Sequence, residues 1–248
     1  MDIEKYLIRF GASSFKEVSL HNLEQLQNLH LQHIPFENLD VIRKVPIYLN
    51  LKTIYNKIVQ NNRGGYCYEL NGLFHALLVE LGYDAQLVSA TVLRATGDWA
   101  KPDTHAAILV HLEEPYLIDV GFGAATHRLP VPLNGKEKTD IDATYSIRKF
   151  EGQLYDLVQK RANSERTLYR FSANKKMLID FHEGIVFNQI SKESSFTHRD
   201  IVTLATPTGR MTLADHTLSV IENDVQQKSN LSSDEKTRVL QELFAIKI

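Results

Sequence analysis

The spacing of apolar residues changes near residue 85, and this change limits the folds that the chain can adopt. Upstream, apolar side chains recur at helical intervals, as in the stripe from Leu70 to Leu81. From Gln86 onward, short apolar runs typical of strands follow one another. The predicted strands are Gln86 to Leu93, His105 to Leu112, Tyr116 to Val120, Ala143 to Phe150, Gln153 to Gln159 and Thr167 to Phe171. Such a series favours a β-barrel or a strongly curved antiparallel sheet.

Helices are predicted both before and after the strands along the sequence. The first three cover Leu20 to Leu29 behind Ser19, Leu51 to Ile58, and Cys67 to Leu81. Pro35, the pair Asn61-Asn62 and Gly82 mark where these three helices end. Later in the chain we predict a helix at Lys176 to Asn188, a hairpin of Ile201 to Ala205 with Arg210 to Leu218, and a final helix opened by the capping box Ser232 to Glu235.

The charge balance gives no sign of a nucleic acid or membrane partner. The 248 residues carry 28 Lys and Arg against 30 Asp and Glu, a formal charge of -2. The first residues lack a basic region followed by an apolar run, and no apolar stretch approaches membrane-spanning length. We therefore expect a soluble cytoplasmic protein made of one large domain or two to three small ones.

Cys67 is the only cysteine, and it lies where a glycine pair ends and an apolar helix begins. One cysteine forms neither an internal disulfide nor a multi-cysteine metal site, so it is a buried hydrophobe or a reactive thiol. Composition alone favours the buried role. Its position favours the thiolate, because unpaired backbone N–H groups and the positive end of the helix dipole face the first turn.

His105 opens one predicted strand and Asp119 closes the next, and the two strands would form a hairpin. A three-residue loop centred on Glu113 would pair Asp119 with Ala107 and leave His105 as its diagonal neighbour on the same face. A two-residue loop would put His105 and Asp119 on opposite faces. The first register allows a carboxylate to orient an imidazole that faces Cys67, giving a thiolate-imidazolium pair.

Each of these residues also has an ordinary explanation. A lone histidine on a strand more often has a structural role, and Asp119 could simply form a turn with the glycines after it. Arg63, Glu37 and Glu69 could be solvated charges on the surface. Taken alone, a trio of cysteine, histidine and aspartate is a weak signal.

Four motifs, in order along the chain, make the interpretation specific. They are Ile34-Pro35-Phe36-Glu37-Asn38-Leu39, Arg63-Gly64-Gly65-Tyr66-Cys67-Tyr68-Glu69-Leu70-Asn71, His105-Ala106-Ala107-Ile108-Leu109-Val110 and Asp119-Val120-Gly121-Phe122-Gly123. They resemble the I-P-F-E-N-L, R-G-G-x-C-[FY]-E-x-N, H-x-x-L-x-V and D-V-G-F-G motifs of the arylamine N-acetyltransferase family, with isoleucine in the leucine position of the third. Beyond residue 123 the resemblance thins to Ser194-Ser195-Phe196 and Thr206-Pro207-Thr208-Gly209.

The resemblance implies an α+β protein in three parts with a cysteine-protease-like triad. These parts would be a helical bundle over residues 1–85, an antiparallel β-barrel over 86–175 and an α/β lid over 176–248. Cys67, His105 and Asp119 would be the catalytic residues, and an ion pair of Arg63 with Glu37 would hold the segment ahead of the cysteine.

The implied reaction is acetyl transfer from acetyl-CoA to an arylamine or arylhydrazine through an acetyl-cysteine, a ping-pong mechanism with no metal. Such chemistry is typical of xenobiotic metabolism. By alignment with the family, the residues expected to contact coenzyme A are Thr104, His105, Phe187, Ser195 and Phe196. The acceptor pocket is expected near Tyr68, Leu93, Trp99 and Phe122.

The same sequence features are compatible with other functions. Many members of the family extend beyond the final helix, so the resemblance implies a trimmed or reshaped cofactor cleft here. An amide synthase that uses another acyl donor is one alternative. A transglutaminase-like or papain-like thiol hydrolase would use the same triad, and a non-catalytic binding protein would leave Cys67 no more reactive than a model thiol.

Overall fold

The computed structural model describes residues 1–12, 17–223 and 225–247, and it confirms an α+β architecture. The helices are α1 (Ile3–Arg9), α2 (Leu20–His33), α3 (Leu39–Ile42), α4 (Leu51–Tyr55), α5 (Cys67–Glu80), α6 (His182–Ile190) and α7 (Ser233–Glu242). The strands are β1 (Phe36–Glu37), β2 (Asp84–Val92), β3 (His105–His111), β4 (Pro115–Ile118), β5 (Val131–Pro132), β6 (Lys138–Thr139), β7 (Thr144–Glu151), β8 (Leu154–Arg161), β9 (Ser164–Ser172), β10 (Ile201–Thr206), β11 (Gly209–Ala214), β12 (Thr217–Glu222) and β13 (Val225–Asn230).

Side-chain caps explain where the N-terminal helices begin. The hydroxyl of Ser19 accepts a hydrogen bond from the N–H of Asn22 at the start of α2, and Asn50 caps α4 in the same way. α4 is shorter than predicted because the chain continues after Tyr55 as a single turn of π-helix, Asn56–Gln60. α5 is almost entirely buried and packs against β2 and β3, so it forms the centre of the core.

The middle of the chain forms one antiparallel sheet of eight strands in the order β5-β4-β3-β2-β9-β8-β7-β6. The sheet curls so far that β5, at one edge, packs against β7 near the other. This arrangement confirms the predicted barrel-like sheet. β3 and β4 lie next to each other in it, which places the start of β3 and the end of β4 at the same rim. This rim lies at the N-terminal part of α5, where Asn71 binds the carbonyl oxygen of Ala106 and Gly121 packs against Cys67.

A second sheet, which we call the lid sheet, contains β1 and β10 to β13 in that order. Its first pair joins distant parts of the chain, since Phe36 pairs with Thr203 and Glu37 with Val202. Phe36 also forms a parallel bridge with Gly65, two residues before Cys67. Short β1 therefore lies between β10 of the lid sheet and the segment that leads to the cysteine.

Two predictions about the C-terminal third were wrong in detail. The predicted strand from Arg210 to Leu218 is two strands, because the chain reverses at Asp215, whose φ of 50° lies in the left-handed region that Asp tolerates. The predicted helix at Lys176 to Asn188 begins later, as a 3-10 turn over Leu178–Phe181 followed by α6.

The division of the chain into three parts at residues 85 and 175 stays a prediction. In the described ranges no helix is both long and apolar enough to span a lipid bilayer.

Candidate active site

Cys67 is the first residue of α5 and is 2% exposed. Tight packing of the backbone before it requires the glycine pair. A Cβ atom on Gly64 would lie 2.0 Å from the carbonyl oxygen of Pro35, and one on Gly65 would lie 2.9 Å from the Cβ of Glu69. Among the residues that the structure describes, none accepts a hydrogen bond from the backbone N–H of Cys67. That N–H and the helix dipole are therefore free to stabilise negative charge beside the sulfur.

His105 and Asp119 meet as the three-residue loop predicts. His111 pairs with Pro115 and Ile108 with Ile118, a register that centres the loop on Glu113 and continues to Ala107 and Asp119. The Nε2 atom of His105 lies 2.7 Å from Oδ2 of Asp119. The alternative two-residue loop, which would separate the two side chains, is thereby excluded.

Asp119 is fully buried and accepts hydrogen bonds from four groups of the described residues. Oδ2 accepts from His105 and from the hydroxyl of Tyr169 at 3.0 Å. Oδ1 accepts from the side-chain amide of Asn71 at 2.9 Å and from the backbone N–H of Gly121 at 2.8 Å. Burial raises the pKa of Asp119, but the charge and hydrogen bond of His105, with smaller contributions from His127 and Asn71, leave the pKa below its ordinary value. Asp119 is therefore a buried carboxylate anion.

His105 is the cationic partner of this carboxylate. Burial lowers its pKa, but the charge and hydrogen bond of Asp119, together with a hydrogen bond and charge interaction with Cys67, raise that pKa to about 10. The rings of Phe122 and Tyr169 pack around the imidazole at centroid distances of 5.1 and 5.0 Å. They hold the ring in place and keep its surroundings apolar, which strengthens its interaction with the two flanking groups.

The titration of His105 provides a direct test of this pairing. We expect its imidazole, followed by NMR, to titrate near pH 10 in the folded protein and at lower pH in Asp119→Asn. Because the pKa is raised on folding, the stability from this proton is full below about pH 6.5, the ordinary value, and is lost as pH rises through 10. Equal titration of His105 in wild type and Asp119→Asn would contradict the pairing.

A group of five charged side chains, three buried acids and two half-buried bases, supports the start of α5, and we call it the ion cluster. Its members are Glu37, Asp40, Lys57, Arg63 and Glu69. The predicted ion pair is confirmed, with Nη2 of Arg63 2.7 Å from Oε1 of Glu37. Lys57 binds Asp40 at 2.8 Å and Glu69 at 2.9 Å, and Glu69 in turn accepts the N–H of Tyr66. The cluster therefore fixes the backbone on both sides of the glycine pair.

We expect Lys57→Met to lower the free energy of unfolding by about 3 to 5 kcal/mol, because it leaves the buried carboxylate of Glu69 without its counter-charge, whereas Glu37 and Asp40 keep Arg63. Burial lowers the pKa of Lys57, but the negative charges of Glu69, Glu37 and Asp40 have a larger effect in the opposite direction. The pKa of Lys57 is therefore above its ordinary value, and the ammonium is charged at neutral pH. Urea unfolding measures the loss. Lys160→Met is the matched control, because its ion pair with Glu137 is exposed and should contribute about 0 to 1 kcal/mol. Equal losses in the two variants would contradict this interpretation.

One cavity of about 260 Å³ opens above the cysteine. Besides Cys67 and His105, it is lined by all of the other residues predicted to contact coenzyme A, Thr104, Phe187, Ser195 and Phe196. Of the predicted acceptor-pocket residues, Phe122 lines this cavity. Tyr68 is fully buried beneath it and donates a hydrogen bond to the carbonyl oxygen of Thr104, while Leu93 and Trp99 pair with each other in the β2–β3 connection.

Sequence reasoning missed two residues that hold Asp119. Asn71 lies one turn after Cys67 on α5, binds Asp119 and Ala106 through its amide nitrogen, and accepts the N–H of Val120 through its oxygen. Its spacing of four residues from the cysteine was the available signal. Tyr169 on β9 carried no such signal, because its contact depends on the pairing of β9 with β2.

Within the described ranges we find no group of three His, Cys, Asp or Glu side chains placed to hold a metal ion.

Comparison with known proteins identifies the family. The family model described as N-acetyltransferase matches residues 19–248. An arylamine N-acetyltransferase of Gallus gallus, the pineal gland isozyme NAT-10, is 31% identical over 252 aligned residues that cover 93% of this chain and 87% of that protein. The chain belongs to the arylamine N-acetyltransferase family. The arylamine N-acetyltransferase of Escherichia coli K12 is likewise 31% identical, over 96% of this chain and 87% of its own length.

Solved structures of arylamine N-acetyltransferases share the whole fold. NAT3 from Bacillus cereus superposes with a TM-score of 0.94 at 28% identity and covers 100% of both chains. The Mycobacterium tuberculosis enzyme superposes with a TM-score of 0.92 at 28% identity, covering 99% of this chain and 93% of the other. The B. cereus protein is described as having a unique Cys-His-Glu catalytic triad, whereas this chain has Asp119 beside His105. The predicted family and enzyme class, an acyltransferase, are confirmed.

Proposed function

We propose that this protein transfers the acetyl group of acetyl-CoA to the nitrogen of an aromatic amine or hydrazine, with Cys67 as the acetyl carrier. The observation that carries the proposal is the arrangement of Cys67, His105 and Asp119 at one cavity, in a chain of this family. A cytoplasmic location and a role in the metabolism of foreign aromatic compounds belong to the same proposal.

In the first half-reaction, the Cys67 thiolate attacks the thioester carbonyl carbon of acetyl-CoA. The free backbone N–H of Cys67 stabilises the oxyanion that develops on the carbonyl oxygen. The carbon–sulfur bond to coenzyme A breaks, and the departing thiolate takes the proton of the His105 imidazolium. Acetyl-Cys67 and neutral His105 remain.

In the second half-reaction, the acceptor nitrogen attacks the carbonyl carbon of acetyl-Cys67. Neutral His105 accepts the proton that the nitrogen loses, and Asp119 stabilises the imidazolium that forms. Collapse of the tetrahedral intermediate expels the Cys67 thiolate, which restores the starting ion pair. Aromatic amines suit this step because they are mostly unprotonated at neutral pH.

The cavity supports the use of coenzyme A as the donor. We place its pantetheine arm against Thr104, Phe187, Ser195 and Phe196, because these side chains line the path to Cys67. The wall combines aromatic rings with residues that carry hydroxyl groups, which suits a chain of methylene and amide groups. Arg94 and Glu193 give the same cavity one charge of each sign.

Intact-protein mass spectrometry after incubation with acetyl-CoA tests the proposal. We expect one added acetyl group, mapped to Cys67, and its loss when an arylamine or arylhydrazine is added, with formation of the acetylated acceptor. Rapid loss of the acetyl group to water without any acceptor would instead favour the thiol hydrolase. Faster acylation by a longer acyl-CoA than by acetyl-CoA would favour the amide synthase. No labelling of Cys67 by any acyl-CoA would overturn the proposal.

A further inference from the structure

Two buried arginines connect the lid sheet to the loop that follows β4. We call residues 119–126 the site loop. Arg210 lies on β11 in the lid sheet, and Arg128 lies just after the site loop. Both arginines are less than 5% exposed, a burial that guanidinium groups rarely reach without a specific set of partners.

The site loop carries three contacts of the candidate active site. Asp119 binds His105, and the Phe122 ring packs against the same imidazole. Gly121 lies against the cysteine itself, since a Cβ atom at Gly121 would be 2.7 Å from the Cα of Cys67. A displacement of this loop would therefore change the relative positions of nucleophile, base and carboxylate together.

Arg210 holds the far end of the site loop. Its Nη1 atom donates to the carbonyl oxygen of Gly123 at 3.2 Å, and its Nη2 atom donates to that of Thr126 at 3.4 Å. Nη2 also lies 3.1 Å from Oδ2 of Asp142. The near end of the loop is held by Asn71, so residues 119 to 123 are fixed at both ends.

Arg128 makes the reverse connection, from the barrel to the lid. Its Nη1 atom donates to the carbonyl oxygen of Thr206 at 2.6 Å, and its Nη2 atom donates to that of Gly209, on the other side of the β10–β11 turn. Its Nε atom binds the same oxygen of Asp142, at 2.7 Å. Arg210 of the lid sheet thus binds two backbone carbonyl oxygens near the barrel, and Arg128 binds two in the lid sheet. The carboxylate of Asp142 binds both arginines.

Cohesion between the two parts does not require this arrangement, since apolar residues could pack there without desolvating two cations. Nε of Arg210 has no partner among the described residues although it is buried, a further cost of keeping an arginine at this position. A planar guanidinium offers what an apolar side chain lacks, namely several donors with fixed directions toward specific carbonyl oxygens.

We propose that Arg210, Arg128 and Asp142 form a reciprocal clamp that positions the site loop for acetyl transfer. Arg210 is thereby a positioning residue that acts through Asp119 and Phe122 and touches neither substrate. This inference rests on the proposed function for its catalytic consequence.

Rates of Cys67 acetylation in purified full-length variants test the clamp. At saturating acetyl-CoA we expect Arg210→Met to lower the acetylation rate by about 10- to 100-fold, because small misplacements of reacting groups have effects of this size. The KM for acetyl-CoA should change much less, because Arg210 does not line the cavity. Arg210→Lys keeps the charge and some donors, so its rate should lie between those of wild type and Arg210→Met. Lys236→Met is the matched control, because it breaks a lid ion pair with Asp200 away from the site loop and should keep the wild-type rate.

A second measurement separates positioning from general stability. In folded Arg210→Met the NMR titration of His105 should move to lower pH, because Asp119 is displaced, whereas Lys236→Met should leave it unchanged. Wild-type acetylation and wild-type His105 titration in folded Arg210→Met would overturn the clamp. If that variant does not fold, the same two readouts on Arg210→Lys and Asp142→Asn decide the matter in the same way. If wild type itself is not acetylated, the proposed function fails, and the clamp is then judged by His105 titration and by the rate of Cys67 alkylation with iodoacetamide.

Discussion

Cys67→Ala is expected to abolish acetylation by acetyl-CoA and to lower turnover of an arylamine by at least about a thousandfold. The reason is chemical, since both half-reactions pass through the sulfur and no second thiol is present in the sequence to replace it. The side chain is small and buried at a helix start, so alanine should leave the fold intact. Steady-state kinetics and intact mass, measured on the same preparation, check the result.

Cys67→Ser is the matched variant for this prediction. It keeps a side chain of similar size but replaces the thiol by a hydroxyl that does not ionise near neutral pH. We expect it to be about as inactive as alanine, which would show that thiolate chemistry is required. Acceptor turnover above a hundredth of the wild-type rate in either variant would contradict the mechanism.

Asp119→Asn is expected to lower turnover by about 10⁴-fold, the effect of the same change in a serine protease triad. The amide cannot carry the charge that keeps His105 protonated, and it presents a donor or an acceptor to Nε2 according to its orientation. The four donors around this carboxylate are arranged for an anion, so part of the loss will reflect their unsatisfied hydrogen bonds.

Tyr169→Phe separates these two contributions. It removes one hydrogen bond to the same carboxylate oxygen and leaves the charge of Asp119 in place. We expect a loss of roughly tenfold, the value of one hydrogen bond to a charged group. A loss in Asp119→Asn no larger than that in Tyr169→Phe would show that the charge of Asp119 has no special role in turnover.

The contact between the side chains of His105 and Asp119 was predictable from the sequence as one of two alternatives, which differ in the length of the hairpin loop. The alternation of residues along a hairpin gives two faces, and the length of the loop decides which residues share a face. Leu112, Glu113 and Glu114 permit either length, so the choice required the actual register of β3 with β4. The position of Cys67 at a helix start was predictable outright, because the glycine pair and the apolar stripe are both local signals.

The parts that sequence reasoning missed depend on contacts between distant segments. The clamp joins β11 to the barrel across more than 60 residues, and no local pattern predicts which carbonyl an arginine will reach. β13 was missed for a different reason. Its sequence, Val225 to Asn230, is almost wholly polar and exposed, so it lacks the alternation that marks a half-buried strand.

Because of the contacts of β1, the surroundings of the cysteine are completed late in the synthesis of the chain. The two residues of β1 touch the segment before the cysteine on one side and β10 of the lid sheet on the other. A ribosome makes Cys67 in the first third of the chain but must add more than 130 further residues before β10 exists. The nucleophile is therefore among the earlier residues to be made and among the last to acquire its complete surroundings, so a partly made chain carries the thiol without the finished site.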